Sequence, residues 1–217
     1  MNQLFNPGRE GFLDGTIDAD TAVIKALLVR GYAVNESHKF LSDVTGSGGT
    51  VVATSAALSG KSVTAGVFDA NDVIWSAVPA GAACDVVLLV QTSAVTGGAD
   101  VASNAQRLIA AIDGRVRFTT AAAAASGATS IAVDPLFAAV ANGATATKIS
   151  GTGPSTLTLT ASSAANARTI STSAISTALS ADAVYEVAIS GNGLPVTPNG
   201  GDINFTWDNG PNKVFKL

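Results

Sequence analysis

The stretch that decides the fold is Gly193–Leu217, which reads GLPVTPNGGDINFTWDNGPNKVFKL. Two turn signals, Pro198–Gly201 and Asp208–Pro211, flank a short predicted strand, Asp202–Trp207. Apolar and polar residues alternate in that strand, so one face is apolar and the other is polar. A second predicted strand, Lys213–Leu217, follows, and a strand patterned in this way is expected to dock into a sheet. The candidate core residues are Trp75, Ile203, Phe205, Trp207 and Phe215.

The composition is that of a β protein with an unusually neutral surface. Hydrophobic residues make up 47% of the 217 residues, which is enough for a core, but only 13% of the residues are charged. Ala, Gly, Ser and Thr dominate the remainder, as in short strands joined by small-residue turns. Because charged residues are depleted at interface cores, this neutrality points to a component of an assembly. An ordinary secreted β protein is the alternative.

The charge pattern and the apolar runs exclude several classes of function. The net charge is −4 and no basic run is present, which disfavours direct binding of nucleic acid. No apolar stretch reaches the roughly 20 residues that a membrane span needs. The first residues lack the pattern of a signal peptide. The single cysteine, Cys84, lies in an apolar run and is predicted to be a buried small hydrophobe.

Short strands separated by turn signals are predicted along the first 114 residues. Residues 1–20 are turn-rich and predict an extended arm or an irregular lead-in. Thr21–Val29 predicts a strand, with a helix as the alternative, and Glu36–Val44 predicts one or two helical turns with Ser37 as N-cap. Asp85–Gln91 contains an uninterrupted apolar run, which is typical of a central strand buried on both faces. The regular spacing of strands and turns favours an all-β fold with a β-sandwich or jelly-roll-like core.

Residues 115–191 differ from their surroundings, because they consist almost entirely of Ala, Ser, Thr, Gly and Val. They contain a weak internal repeat of about 40 residues. Ala128–Leu136 aligns with Ala167–Ile175 at an offset of 39 residues, and Ile149–Gly151 aligns with Ile189–Gly191 at an offset of 40. Each copy predicts a strand, a short apolar helix or turn (Leu136–Val140 in the first), and a second strand; a chance match in low-complexity sequence is the alternative.

The change in composition predicts two domains. One is a discontinuous β core, residues 1–114 plus 192–217, and the other is a small β module, residues 115–191, inserted between two core strands. Insertions of this kind succeed at exposed turns whose ends lie close together. We therefore expect the chain near Gly114 to lie beside the chain near Asn192.

No set of residues in the sequence predicts catalysis, a cofactor or a bound metal. His38 is the only histidine, no GxSxG elbow accompanies it, and an exposed or capping role is expected. Zinc would need several Cys or His ligands. Three acidic turns, at Asp18–Asp20, Asp69–Asp72 and Asp208–Gly210, could supply oxygen ligands to calcium, but none has EF-hand spacing. Asx residues in turns normally bond their own backbone, which is the expected role here.

Five short segments of the predicted core carry a resemblance to a known family. They are Leu4–Leu13, Phe40–Val44, Gly193–Asp202, Trp207–Gly210 and Lys213–Leu217. In these segments the chain resembles small virion structural proteins of tailed bacteriophages, of the capsid decoration (cement) kind. In such proteins the segment like Arg107–Asp113 runs almost directly into the segment like Gly193, which implies that 115–191 is an insertion. The resemblance implies a virion component and brings no catalytic residues or cofactors with it.

The function expected from this resemblance is binding to the major capsid protein lattice on the outside of the phage head. The protein would be made in the host cytoplasm, located in the virion and present as a homo-oligomer, with a trimer suggested by analogy to lattice three-fold sites. Two alternatives remain open: a tail or fibre component that contacts the host, and a carbohydrate-binding β domain with a pocket near Trp75 or Trp207. The predicted capsid-contact arm comprises Phe5, Asn6, Pro7, Arg9 and Phe12.

Overall fold

The structure, a computed structural model, describes residues 2–136, 139–188, 193–207 and 214–216. These residues form eighteen strands and two short helices, so the predicted all-β class is confirmed. The chain divides into two compact units. Unit 1 comprises Met1–Asp113 and Pro195–Leu217, and unit 2 comprises Gly114–Leu194.

Unit 1 is built around a five-stranded antiparallel sheet. Its members are β1 (Asn2–Leu4), β2 (Ile24–Arg30), β3 (Thr50–Thr54), β7 (Val86–Gln91) and β10 (Arg107–Asp113), with α1 (Asn6–Asp14) and α2 (Leu41–Gly46) between them in sequence. The strand order is β1-β10-β7-β2-β3, so β7 is the central strand. All six residues of β7 are buried, as its continuous apolar run predicts.

Small ribbons complete unit 1. They are β4 (Ser62–Thr64), β5 (Val67–Asp69) and β18 (Phe215–Lys216) in one, β6 (Val73–Trp75) and β17 (Ile203–Phe205) in another, and β8 (Ser93–Ala94) and β9 (Gly97–Asp100) in a third. The loop Ala65–Gly66 joins β4 to β5, and both of its residues have positive φ, at 52° and 77°. The described sheets have two to five strands and do not support a jelly-roll sandwich.

Residues 6–14 form a helix, so the expectation of an extended or irregular lead-in over residues 1–20 was wrong for this part of the range. Pro7 lies in the first helical turn, where its missing N–H costs nothing, and Gly15 ends the helix with a left-handed φ of 72°. Gly8 lets the helix approach β10 closely, since a Cβ at this position would lie 2.8 Å from the Ile109 carbonyl oxygen. Asn-Pro-Gly was interpreted as a turn because the same residues also begin turns.

Helix α2 begins later than predicted, and its N-cap is not Ser37. The backbone N–H groups of Lys39 and Phe40 both donate to Oδ2 of Asp43, at 2.8 Å and 2.9 Å. The Asp43 carboxylate therefore satisfies two N–H groups at the start of the helix, because it reaches back from the first turn. Ser37 instead lies in a turn in which its own N–H donates to Asn35 Oδ1.

Unit 2 consists of six strands in two sheets. The strands are β11 (Arg115–Thr119), β12 (Ser130–Ala132), β13 (Thr145–Ser150), β14 (Thr156–Thr158), β15 (Thr169–Ser171) and β16 (Val184–Ala188). One sheet has the order β11-β16-β13-β14 and the other pairs β12 with β15. We call residues 116–154 the first repeat and residues 155–193 the second repeat. Each of these strand pairs joins a strand of the first repeat to a strand of the second. Arg115, the first residue of β11, precedes the first repeat.

The two repeats make equivalent hydrogen bonds at an offset of 39 residues. The Leu136 N–H donates to the Ala167 carbonyl, and the Ile175 N–H donates to the Ala128 carbonyl, both at 3.0 Å. The same offset relates two positions with positive φ, namely Gly127 (88°) to Asn166 (65°), and Gly143 (80°) to Asp182 (64°). Asn and Asp tolerate this backbone region better than other non-glycine residues, so the second repeat keeps the conformation without glycine.

The ends of unit 2 lie side by side within the unit. Arg115 on β11 pairs with Ala188 on β16, and a Cβ on Gly114 would lie 2.6 Å from the Cβ of Leu194. A segment whose two ends meet in this way can be inserted into a loop without separating the strands on either side.

Several sequence predictions lie partly or wholly outside the described residues. The predicted turn Asp208–Pro211, the acidic turn Asp208–Gly210, the junction at Asn192 and the repeat segment Ile189–Gly191 are among them. Each repeat was expected to contain a short apolar helix or turn; the segment of the second repeat, Ile175–Leu179, is not helical, and residues 137–138 of the first are outside the described part.

Candidate functional site

The residues of the predicted capsid-contact arm lie on unit 1 rather than on a free arm. Phe5 is 1% exposed, and its N–H donates to the Ile109 carbonyl at 3.1 Å. Asn6, Pro7 and Arg9 belong to α1, and the Asn6 N–H donates to the Glu36 carbonyl. Phe12 is half-buried, with its ring centroid 5.8 Å from that of Phe215. The expectation of an extended reaching arm is therefore corrected, because the backbone of this segment is folded on unit 1 and Phe5 is buried there, whereas the side chains of Asn6 and Arg9 are exposed.

Three of the predicted core residues, Trp75, Phe205 and Trp207, form a cluster of aromatic rings, and the Phe215 ring packs separately on Phe68. Trp75, Trp207 and Phe215 are 2–4% exposed, whereas Ile203 and Phe205 are half-buried. The Phe205 ring lies between the two tryptophans, at centroid distances of 6.1 Å from Trp75 and 5.1 Å from Trp207. The β17 strand that carries Ile203 and Phe205 pairs with β6, so the closing stretch packs on strands of the first hundred residues.

Neither tryptophan offers a face to a sugar. The Trp75 Nε1–H donates to the Ala26 carbonyl at 3.1 Å, and the Trp207 Nε1–H donates to the Asn71 carbonyl at 2.9 Å. Carbohydrate sites built on tryptophan need an accessible ring face for stacking, whereas buried indoles normally use the N–H to satisfy a protein acceptor. The geometry at Trp75 and Trp207 is that of core residues.

His38 is half-buried and bonded to a core tyrosine, rather than exposed as predicted. Its Nδ1 lies 3.0 Å from the hydroxyl oxygen of Tyr32, which is 1% exposed. The Tyr32 hydroxyl also accepts the N–H of Asn35 at 3.3 Å. These contacts bring no serine or cysteine to the imidazole ring. The histidine therefore has a structural role, because it ties the loop of residues 32–38 to the core tyrosine.

The acidic turns use their carboxylates to bind backbone N–H groups. Asp18 Oδ1 accepts the N–H groups of Asp20 and Thr21, and Asp72 Oδ1 accepts the Trp207 N–H. A side-chain hydrogen bond from Thr21, with these backbone bonds as smaller causes, holds the pKa of Asp18 below its ordinary value. Among the described residues, no group of three or more His, Cys, Asp or Glu side chains could hold a metal ion.

Cys84 is fully buried, as its apolar surroundings predict. Burial raises the pKa of its thiol. Its backbone N–H and carbonyl both bond Val196, at 2.8 Å each, so this residue joins the first part of unit 1 to the returning chain. The role of Cys84 is structural, because the thiolate form that reacts is disfavoured there.

A charged cluster that the sequence reading missed lies on the four-stranded sheet of unit 2. Glu186 on β16 accepts hydrogen bonds from Arg115 and Arg117 of the neighbouring strand β11, and the Arg117 contact measures 3.3 Å. The Glu186 side chain is 11% exposed. The alternation of Arg115-Val116-Arg117-Phe118 was the available signal, since it places two arginines on one face of a strand. The cluster pairs two adjacent strands of the repeats and offers no free acid for chemistry.

Unit 2 also carries an open groove of about 580 Å³. Small residues line it: Ala139, Val140, Ala141, Ser162, Ser163, Ala164 and Ala188. None of these described lining residues has a titratable side chain.

Large apolar side chains at the surface are few among the described residues. Leu13, Ile74 and Val63 on unit 1 are 90%, 59% and 48% exposed, and Ile149 on unit 2 is 49% exposed. Exposed apolar side chains on a surface with little charge are the features that protein partners recognise. No described helix is long and apolar enough to cross a membrane.

Searches of protein-family models, curated proteins and solved structures found no match to this chain.

Proposed function

We propose that this chain is a structural component of a tailed-bacteriophage virion, a capsid decoration (cement) protein that binds the outside of the head lattice. The segments that resemble such proteins come from distant parts of the sequence, and their described residues belong to unit 1 apart from Gly193 and Leu194. Within unit 1 the ring centroid of Phe12, in the first of these segments, lies 5.8 Å from that of Phe215, in the last. This is the observation that carries the proposal.

Three contacts support this account. Phe40 forms a β-bridge with Arg107, Val196 forms one with Cys84, and Phe215 on β18 pairs with Phe68 on β5. In each pair a residue of a resembling segment bonds a residue of unit 1. Unit 2 is then an addition to a core of this kind, because the resembling segments lie outside it apart from Gly193 and Leu194.

Lattice binding would use the surface of unit 1. The exposed side chains of Leu13 and Ile74 are candidates, because the phenylalanines first assigned to this role are packed within the unit. Decoration repeats the same modest contact over many lattice positions, so weak individual contacts suffice when the protein is itself oligomeric. A homo-oligomer whose partner is the major capsid protein therefore remains part of the proposal, as does location in the virion.

The test is the binding of purified protein to expanded heads that lack it. Leu13→Ser and Ile74→Ser should reduce the number of copies bound per head, whereas Ile149→Ser on unit 2 is the matched control and should not. Stability measurements on all three variants separate loss of contact from loss of fold. Undiminished decoration by Leu13→Ser and Ile74→Ser would remove these side chains from the interface, and no binding by the parent protein would refute the proposal.

The copy number per virion separates a decoration protein from a tail or fibre component. A decoration protein covers the lattice and is present in many copies, whereas a tail-tip or fibre component is present in few. Quantitative mass spectrometry of purified virions, normalised to the major capsid protein, gives this ratio directly.

A further inference from the structure

The strands of residues 156–216 pair only with strands of residues 2–150 in the described part of the chain. Strands β14, β15 and β16 pair with β11, β12 and β13, while β17 pairs with β6 and β18 pairs with β5. Within 156–216 the described bridging is a single contact, between Leu159 and Thr172. We call residues 2–150 the first half and residues 156–216 the second half.

One short connection joins the two halves. It comprises residues 151–155, between Ser150 at the end of β13 and Thr156 at the start of β14. Gly151 and Gly153 have φ values of 83° and 151°, a backbone region that other residues rarely adopt. The Pro154 carbonyl accepts the Tyr185 hydroxyl at 2.8 Å. The connection 151–155 is the one covalent link between the halves. The strand pairs between the halves can therefore form equally well when the two halves come from different molecules.

We propose that two copies of this chain exchange their second halves. The first half of each copy would then pair with the second half of the other, and the connection 151–155 would cross between them. An exchanged pair keeps the strand pairs of both units, and only the five connecting residues change conformation. Its costs are the entropy of association, which concentration offsets, and the hydrogen bonds that hold the connection to the second half, from Tyr185 to Pro154 and from Ser180 to Thr152. This inference goes beyond the proposed function and does not rest on it.

The connection can be shortened so that it no longer closes within one molecule. The Lys148 N–H donates to the Ser155 carbonyl at 2.9 Å, so these residues flank the loop. Deleting Gly151–Pro154 leaves Ile149 and Ser150 between them. A two-residue hairpin loop needs positive φ, and a β-branched residue such as Ile149 strongly resists it. The second half must then pair with another molecule to make its hydrogen bonds.

The experiment traps one strand pair covalently in the full-length chain. Thr119 on β11 lies opposite Val184 on β16, so Thr119→Cys and Val184→Cys, combined with Cys84→Ala, place two thiols across the halves. A short bis-maleimide links them, and a denaturing gel distinguishes a link within one chain from links between two chains. The same three substitutions are made in the parent, in the chain lacking Gly151–Pro154, and in a chain with Gly-Ser-Gly-Ser inserted after Thr152.

We expect covalent dimers in the shortened chain and links within single chains in the lengthened one. Refolding the parent over a rising concentration series should give a rising fraction of covalent dimers. Links within single chains in the shortened variant would overturn the proposal. If that variant does not fold, the parent series decides, because the absence of covalent dimers at every concentration would also overturn it.

Discussion

Ile131 and Ile170 face each other across strands β12 and β15, and each is the counterpart of the other in the repeat of unit 2. Both side chains are fully buried. A residue that pairs with its own counterpart marks an approximate two-fold axis, and Thr147 opposite Glu186 marks the same axis in the larger sheet. The two repeats therefore fold as the halves of a symmetric dimer would, and positions where they differ are natural controls for one another.

At Thr172 the second repeat has a buried polar group without a hydrogen bond, and the first repeat has an apolar residue in its place. Its hydroxyl is buried and has no hydrogen-bond partner, whereas the equivalent residue of the first repeat is Val133, which is 1% exposed. Thr172→Val should raise the free energy of unfolding by about 1 kcal/mol, because it removes an unpaired buried polar group without changing the shape. Urea unfolding measures this. The mirror variant Val133→Thr is the control and should destabilise; equal effects of both substitutions would contradict the argument.

Acid should weaken the start of α2 through Asp43. The N–H groups of Phe40 and Lys39 stabilise the charged carboxylate and hold the pKa of Asp43 below its ordinary value of 3.8. A lowered folded-state pKa gives stability that is present above 3.8 and is lost as the pH falls through the folded value. Asp43→Asn should therefore lose less stability than the parent between neutral and strongly acidic pH.

The measurement for Asp43 is the denaturant midpoint across that pH range. Asp43→Ala is the control, because it removes the cap at every pH and should be less stable than the parent even at neutral pH. A parallel pH dependence in the parent and in Asp43→Asn would show that other carboxylates govern acid sensitivity.

Both tryptophans should be shielded from solvent in the folded protein. Trp75 and Trp207 are 2% and 4% exposed, so acrylamide should quench their fluorescence weakly until denaturant unfolds the chain. Glycan arrays should show no binding that depends on either ring. Strong quenching in the native state, or glycan binding abolished by Trp207→Phe, would restore the carbohydrate-binding alternative.

Unit 1 should fold without unit 2. Asp113 pairs with Val86 and Val196 bridges Cys84, so both cut ends of unit 1 lie beside the segment Cys84–Val86, two residues apart in register. A short Gly-Ser linker in place of 114–194 spans that gap of roughly two strand residues, about 7 Å. We expect a single cooperative unfolding transition and retained near-ultraviolet signals from Trp75 and Trp207. A molten or aggregated product would show that unit 1 depends on unit 2.

The sequence predicted the elements whose signal is local and missed those that depend on partners. The apolar run of β7 and the alternation at Ile203, Phe205 and Trp207 are patterns that burial imposes directly. The helix at Asn6–Asp14 was missed because Pro7 and Gly8 suit both a turn and a helix start, and only the close packing of Gly8 on Ile109 decides between them. That contact spans a hundred residues and has no local signature.

The candidate site shows the same division. Phe5 and Phe12 were identified as apolar anchors, and the pattern could not tell an anchor for a partner from an anchor for the chain's own sheet. The partners of Glu186 were hidden because Arg115 and Arg117 lie about seventy residues away on a strand that reaches it only through the pseudo-symmetric pairing. The repeat itself was visible in the sequence because Ala128–Leu136 and Ala167–Ile175 are still similar enough to align at an offset of 39 residues.

The pairing of the second half with the first also has a consequence for biosynthesis. The five-stranded sheet of unit 1 is complete once the ribosome has delivered residue 113, so this sheet can form while translation continues. Strands β5, β6, β11, β12 and β13 must then wait with unpaired backbone edges until later residues emerge. Phe215, which stacks on Phe68 at a centroid distance of 5.1 Å, emerges about a hundred residues after residue 113. Slow translation of the second half therefore lengthens the period in which newly made chains are vulnerable to aggregation.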